Sequence, residues 1–252
     1  MRPDARRIEE LSLNSSAPPG QLLYDGWIVR MLRGKAKRAR SVNAFYASTL
    51  PIAEKIAYCE RLYGEAGVPA LFRITPFSQP ASLDRELESR GYGRFDNTAV
   101  EAATIDTSKL AGATADSMEL KAWIDAVGML RGSPESHREA HFARIDGMPL
   151  RKLPVAVREG GQVVATGLAI VEGDCVGLFD IITHADAQRR GHARTVVSSL
   201  LARAWELGAR HAYLQVQEDN VPARRLYRQF GFEERYMYWY RGREEAAAGR
   251  PA

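Results

Sequence analysis

Residues 178–232 constrain what this chain can become more than any other stretch. They alternate between two periods. Residues 178–183, LFDIIT, form an apolar run of strand length, and 188–193, QRRGHA, form a basic turn around one glycine. Residues 194–207 carry helical periodicity, 212–217 the pattern of a second strand, and 220–230 that of a second helix. A strand feeding a helix through a glycine turn aims backbone amides at one point in space. The first four amides of a helix have no partner inside it, and the peptide dipoles add about half a positive charge there. Gly191 lets the backbone approach an anion, and Arg189, Arg190 and Arg194 add forked donors suited to phosphate oxygens. The expected ligand of such a turn is a diphosphate. Neither GxxxxGK[ST] nor GxGxxG is present, so the turn is neither a Walker loop nor the dinucleotide fingerprint.

The turn fills the pattern [Q/R]-x-x-G-x-[G/A] with Gln188, Gly191 and Ala193. Downstream, Asn220, Tyr227 and Gly231-Phe232 fill N-x6-Y-x3-G-F. Two motifs in this order and on these elements resemble the GNAT superfamily of N-acetyltransferases, over roughly residues 155–240. The resemblance implies an acetyl-CoA-dependent acetyltransferase (acetyl-coenzyme A as cosubstrate) acting on an amine acceptor, a small molecule or a protein amine, by direct transfer and without a metal. It implies that Gln188, Arg189, Arg190, Gly191, His192, Ala193 and Arg194 hold the diphosphate. Backbone groups of Ile181, Ile182 and Thr183, on a strand end splayed from its neighbour, would bond the pantetheine arm. Asn220 would add a polar contact, and Tyr227 would face the thioester sulfur as the catalytic hydroxyl.

Each of these residues also has a plainer reading. Residues 181–183 suit an ordinary core strand. Asn220 precedes Val221-Pro222 at a helix start and suits an N-cap. Tyr227 lies on an apolar face with Ala223, Leu226 and Phe230 and suits a core tyrosine. Val196, Val197, Leu200, Leu201 and Ala204 share one helix face and are expected in the core. Many protein-acetylating members of the superfamily carry Glu five residues before the Asn; here that position is Gln215. An amide cannot accept the amine's proton. Glu172, Asp174, Asp180, Glu218 and Asp219 are nearby carboxylates with no pattern that selects one as a base.

The first half repeats the second at a constant offset, which lays Gly91-Tyr92 on Gly231-Phe232. Strands are expected at 27–32, 41–46, 70–75 and 92–104, and helices at 51–65 and 82–90, the latter with Ser82 as N-cap. Asn220 falls on Pro80 and Tyr227 on Leu87, and residues 43–50 lack glycine and arginine. The expected fold is α+β with mixed α/β sheets: two tandem GNAT-like domains, each a mixed twisted sheet flanked by helices. Residues 1–105 form a degenerate domain that is structural or walls the acceptor pocket. Residues 106–117 form a linker, 118–245 the catalytic domain and 246–252 a flexible tail. Within the catalytic part, helices at 118–130 and 134–145 precede a hairpin of strands 155–158 and 163–171 around Gly160-Gly161. The next strand spans 174–183, and the last spans 232–240.

The remaining composition sets outer limits. Residues 1–20 end in SSAPPG and read as a loop without a secretory h-region. No apolar run reaches the ~20 residues of a membrane span. Two cysteines, Cys59 and Cys175, fit a reducing cytoplasm. The net charge of +4 suits an anionic cosubstrate without arguing for nucleic acid. Residues 33–40, RGKAKRAR, suit an exposed hairpin turn or loop, or else a phosphate or nucleic-acid patch. His137 and His141 stand four apart without HExxH, which favours an exposed helix face over zinc. Rival functions are an acyl-CoA sensor without turnover and an enzyme for a longer acyl chain or a non-amine acceptor. Oligomerisation is possible, and the acceptor is unidentified.

Overall fold

The computed structural model describes residues 3–32, 36–110 and 114–243. In chain order the elements are α1 (Ala5–Asn14), β1 (Gln21–Tyr24), β2 (Trp27–Arg30), β3 (Val42–Asn43), α2 (Ile52–Glu65), β4 (Leu71–Ile74), α3 (Leu83–Ser89) and β5 (Gly93–Thr104). They continue with β6 (Asp116–Ser117), α4 (Leu120–Arg131), α5 (Glu135–Asp146), β7 (Arg151–Glu159), β8 (Gln162–Glu172), β9 (Cys175–Thr183), α6 (His192–Glu206), β10 (His211–Gln217), α7 (Val221–Gln229) and β11 (Glu233–Gly242). The fold is mixed α+β.

Two compact units result, and they are not consecutive blocks. One contains residues 1–15 and 100–235, the other 16–99 and 236–252. The expected boundaries of 1–105 and 118–245 are therefore corrected at both ends. The last strand of each repeat, β5 and β11, begins in one unit and finishes in the other. The expected tail at 246–252 lies outside the described residues.

The repeat is real at the level of hydrogen bonds. At the offset that lays Gly91 on Gly231, α2 begins where α6 begins and β4 where β10 begins. Each short helix then ends the same way. Tyr92 donates to the Leu87 carbonyl at 3.0 Å and Phe232 to that of Tyr227 at 3.2 Å, across Gly91 at φ 80° and Gly231 at φ 84°. A positive φ after a helix is what makes glycine the fitting residue at both places.

In the unit built mainly from the first repeat, β1, β2, β3, β4 and β11 are neighbours in that order. β3 runs parallel to β4, and the other pairs are antiparallel. Trp27, Val29, Ile56, Tyr63, Phe72 and Leu87 form its core. Expected strands 27–32 and 41–46 shrink to Trp27–Arg30 and Val42–Asn43. Ser82 is the N-cap residue of α3, as expected, though its side chain makes no capping hydrogen bond. Of the basic run, residues 33–35 lie outside the described residues; Lys37–Ala39 is a 3-10 turn with Ala39 buried and Lys37 paired to Asp96 at 2.6 Å.

The other unit orders its strands β10-β9-β8-β7-β6. The hairpin β7–β8 turns at Gly160 and Gly161, both at positive φ as a tight two-residue hairpin needs. One face carries α4 and α5 over Leu168 and Ile170, with Trp123, Ile124, Val127 and Ile145. The opposite face carries α6. A Cβ on Gly167 would meet Val196 and Leu200, so this glycine lets the helix close onto the sheet. Val196, Val197, Leu200, Leu201 and Ala204 are all buried, each apolar side chain of Val or Leu size contributing about 1.5–3 kcal/mol.

Residues 5–14, read from sequence as part of a loop, form a helix. Asp4 caps it by accepting from the Arg7 amide at 2.8 Å, and Ile8, Leu11 and Leu13 are buried. Its end is tied to β10 through the Tyr213 hydroxyl, which donates to the Leu11 carbonyl at 3.0 Å and lies 2.8 Å from the Ser15 hydroxyl. The linker is also structured in part: β6 pairs with β7, and the Ala115 amide donates to Ser199 of α6 at 2.7 Å. Residues 111–113 lie outside the described residues.

Candidate active site

Strands β9 and β10 run parallel and pair from His211–Cys175 to Leu214–Leu178. Both then continue past the last residue pair of that register, β9 to Thr183 and β10 to Gln217. On its other edge β9 remains bonded to β8 as far as Thr183–Ala165. Residues 180–183 thus present one backbone edge to an opening between two strands. Among the expected contacts, Ile181, Ile182 and Thr183 lie on this open segment.

The strand leads through Ala185–Ala187, a 3-10 turn, into the basic loop. Gly191 is the N-cap of α6 at φ 88°, and Arg189 also adopts a left-handed conformation at φ 63°. Helix α6 begins at His192, two residues before the position expected from periodicity, so His192 and Ala193 are its first residues. The first intrahelical bond runs from the Thr195 amide to the Gly191 carbonyl at 3.0 Å. The amides of Arg189, Arg190 and Gly191 have no acceptor among the described residues.

The first repeat shows what an acid does at this place. Thr49 and Leu50 are the repeat equivalents of Arg189 and Arg190. Asp25 accepts from the Thr49 amide at 3.0 Å and the Leu50 amide at 2.8 Å, and from the Thr49 hydroxyl at 2.9 Å. Those amides hold the Asp25 carboxyl well below the usual carboxylate range. One turn carries its own anion, and the other leaves the corresponding amides open.

Residues 120–232 match the model of the Acetyltransferase (GNAT) family. Residues 120–232 therefore form a GNAT acetyltransferase domain. The uncharacterized N-acetyltransferase YobR of Bacillus subtilis (strain 168) is 27% identical over 247 residues, covering 94% of this chain and 98% of YobR. A GCN5-related N-acetyltransferase from Kribbella flavida shares the fold with a TM-score of 0.67 at 15% identity, over 95% of each chain. A tandem GNAT protein from the clavulanic acid biosynthesis pathway shares it with a TM-score of 0.55 at 14% identity, over 79% of this chain and 70% of that one.

Within this GNAT domain the charged side chains of the loop are unequally engaged. Arg189 is exposed and makes no ion pair among the described residues. Arg190 pairs with Glu159 at 3.0 Å and donates to the Asp186 carbonyl at 2.8 Å. Glu159 also lies 3.0 Å from His192 Nε2. Arg194 donates to Gln229 of α7 at 2.6 Å, with its guanidinium 5.3 Å from the Phe230 ring. Gln188 is exposed. Glu159 sits at the end of a hairpin strand, and no short-range pattern points to it.

Helix α7 brings the other GNAT motif together. Asn220 caps it by accepting from the Ala223 amide at 3.2 Å, with Pro222 in the first turn. Tyr227 is 7% exposed and packs its ring against Phe232 at 6.0 Å. Its hydroxyl has no hydrogen-bond partner among the described residues. Burial, with the Glu101 charge adding, pushes the Tyr227 phenol up to about 12.

Several candidate carboxylates are committed elsewhere. Glu172 accepts from Arg7 and Asn14 of α1 at 3.2 and 3.1 Å. Gln215 donates to Ser12 of α1. Glu101 is 1% exposed and accepts from Arg224 of α7 at 2.8 Å, leaving its second oxygen without a partner. The repeat supplies the same pair a second time with its charges exchanged: Arg241, the equivalent of Glu101, bonds Asp84, the equivalent of Arg224, at 2.7 Å. A pair that recurs where the motif residues are missing holds a helix to a strand, so Glu101 is a structural acid.

Asp180 stands apart. It sits at φ 50° in a bulge where the β8–β9 register shifts between Thr166 and Leu168. The bulge reverses the alternation of β9: Phe179 and Ile182 both pack against the α4–α5 cluster, and Ile181 lies beside Gly167 and α6. Asp180 accepts from Arg131 of α4 at 2.6 Å and lies 3.2 Å from His141 Nε2 of α5. The expected exposed histidine face is thereby corrected. His141 faces the sheet beside the fully buried Trp123, ring centroids 5.8 Å apart, and His137 Nδ1 is buried. Among the described residues no group of three or more His, Cys, Asp or Glu could hold a metal, and no helix is long and apolar enough to cross a membrane.

Proposed function

We propose that the domain around α6 and α7 binds acetyl-coenzyme A and transfers its acetyl group directly to an amine. The observation that carries this reading is the parting of β9 from β10 after Leu178 and Leu214, directly before an N-terminal turn with open amides. A pantetheine arm needs backbone partners along an extended path, and residues 180–183 offer a strand edge beyond the last β9–β10 pair. A diphosphate needs convergent donors, and the amides of Arg189, Arg190 and Gly191 with the Arg189 guanidinium offer them. Asp25 in the first repeat supports the fit, because a carboxylate there already uses the corresponding amides.

Gln188, Arg190, His192, Ala193 and Arg194 complete the wall of the cradle, and Asn220 stands at the start of α7 where its cap fixes the helix beside the arm. Bound acetyl-coenzyme A supplies an activated thioester. Backbone amides of Ile181–Thr183 polarise the carbonyl, and Tyr227 stabilises the charge that develops on the departing sulfur. A phenol pushed up to about 12 keeps its proton at any working pH, so Tyr227 acts as a hydrogen-bond donor. The first repeat, its turn filled by Asp25, serves as scaffold. The acceptor is an amine of a small molecule or a protein.

Calorimetry with acetyl-coenzyme A, together with release of free thiol over a panel of amines, tests the reading. Binding that protects residues 181–194 from amide exchange, with amine-dependent thiol release, is the expected result. Absence of binding defeats it. Tight binding without turnover on a broad panel points to a sensor.

A further inference from the structure

We propose that His141, oriented by Asp180, takes the proton of the attacking amine. This rests on the acetyltransferase reading and supplies the base that the motif position Gln215 lacks. An amine attacks only as the free base, so an acceptor that arrives protonated must lose a proton before the C–N bond forms and the C–S bond breaks. That proton needs a basic group on the side where α4 and α5 cover the open strand.

Asp180 occupies that side. Its bulge lies where β9 begins its unpaired segment, and the Thr166 hydroxyl donates to its carbonyl at 3.3 Å, which pins the turn. The strained φ of 50° aims the carboxylate at α4 and α5. One oxygen takes Arg131 at 2.6 Å, and the other faces His141 Nε2 at 3.2 Å. Burial alone would raise the Asp180 carboxyl, but Arg131, His141 and Arg144 together hold it well below the usual carboxylate range. A carboxylate held so firmly ionised is a weak base. It is instead a good partner for an imidazole, fixing which nitrogen carries the proton and stabilising the imidazolium. His141 Nδ1 is then the basic atom.

The Trp123 ring lies 5.8 Å from the imidazole, Arg131 and Arg144 act on the same Asp180 carboxylate, and the neighbouring Arg138 of α5 is 3.7 Å from Asp125 of α4. Trp123 is fully buried and closes one side of the ring against water. Glu101 is excluded by its bond to Arg224, and Glu172 by its bonds to α1. The reaction balances: the ammonium gives one proton to His141 before attack, the C–N bond forms as the C–S bond breaks, the nitrogen's second proton passes through solvent to the departing thiolate, and His141 then releases its proton to water. Asp180 is a positioning residue, since it acts through the histidine.

The test uses the full chain with His141→Ala, His141→Gln and Asp180→Asn. In both histidine variants kcat/KM at pH 7 should fall about 10²- to 10⁴-fold, with the acetyl-coenzyme A Kd unchanged. Added imidazole should restore part of the rate to His141→Ala. Asp180→Asn should lower kcat with the acetyl-coenzyme A Kd unchanged. Imidazole 15N NMR, assigned by loss in His141→Gln, should show the proton on Nε2 in the wild type and a mixture of tautomers in Asp180→Asn. A wild-type rate and pH profile in His141→Gln overturns the proposal. If the wild-type protein turns over no amine, the acetyltransferase reading falls. The NMR arm still decides the dyad: an imidazole tautomer unchanged by Asp180→Asn refutes it, and a change from one tautomer to a mixture supports it.

Discussion

Replacing Tyr227 by Phe separates packing from chemistry at one atom. The side chain is 7% exposed, and its ring packs on Phe232. The hydroxyl has no partner among the described residues, so its removal leaves nothing unpaired. Phe keeps the ring and its buried area, and the melting temperature should stay within a degree or two of wild type. A hydrogen bond to a charged group contributes about 1.5–3 kcal/mol. If the hydroxyl meets the developing thiolate, kcat should fall by about 10- to 150-fold. Single-turnover thiol release at saturating amine measures this without the contribution of product release. The pH dependence adds a second check. Burial raises the phenol to about 12 from an unfolded value of about 10. The group therefore favours the fold fully below pH ~10 and loses that contribution as pH rises through ~12. It should give kcat no limb below pH ~10. Wild-type single-turnover rates in Tyr227→Phe would show the tyrosine to be a packing residue and refute the proposed role.

Gly191→Ala places a Cβ where no atom lies within 4 Å but forces a left-handed conformation at φ 88°. That strain is about 1–2 kcal/mol, so acetyl-coenzyme A should bind roughly 5- to 30-fold more weakly by calorimetry. Gly191→Glu should lose binding beyond that, through charge repulsion; an unchanged Kd removes the loop from the site. Leu11→Ala deletes a buried side chain of α1 and should cost about 2–5 kcal/mol in denaturant unfolding, where a loop residue would cost nothing. Asp25→Asn should lower the melting temperature at pH 7. The depressed Asp25 carboxyl stabilises the fold above pH ~4, and that contribution is lost as pH falls. The wild-type and variant melting temperatures should therefore converge in acid, and a constant gap between them contradicts the assignment.

The strand–turn–helix order and the second motif were legible because they are local. Gly191 at a helix start, Asn220 before Val221-Pro222, and glycine after each short helix are set by neighbours within four residues. The helix at 5–14 escaped because its apolar positions, Ile8, Leu11 and Leu13, stand among charged residues, and a composition-led reading weighted the following SSAPPG loop instead. The interleaved units were not readable, since they depend on which residues β5 and β11 contact far along the chain. Asp180 illustrates the deepest limit. Alternation along LFDIIT assigns it a face, and one extra residue in the strand reverses that assignment. His141 followed it out of view, because four-residue spacing on α5 cannot show that a bulge on β9 supplies a partner at 3.2 Å.

The internal repeat turns these limits into an argument about retained and lost chemistry. Both halves keep the glycine that ends the short helix, the strand after it, and a helix-to-strand ion pair with exchanged charges. Those features follow from the fold and say nothing about a ligand. The halves differ at the turn before the long helix. Asp25 occupies the amides of Thr49 and Leu50 in one, and in the other the corresponding amides are open beside Arg189. They differ again after the parallel strand pair, where the second half has an unpaired strand edge flanked by Asp180 and His141. If the second half had also ceased to bind an anion, nothing would keep its amides and Arg189 unsatisfied at a strained turn. A carboxylate supplied from within the chain, as in the first half, would stabilise the turn at the cost of one substitution. No carboxylate among the described residues takes that place, which is the physical reason to look for an external anion.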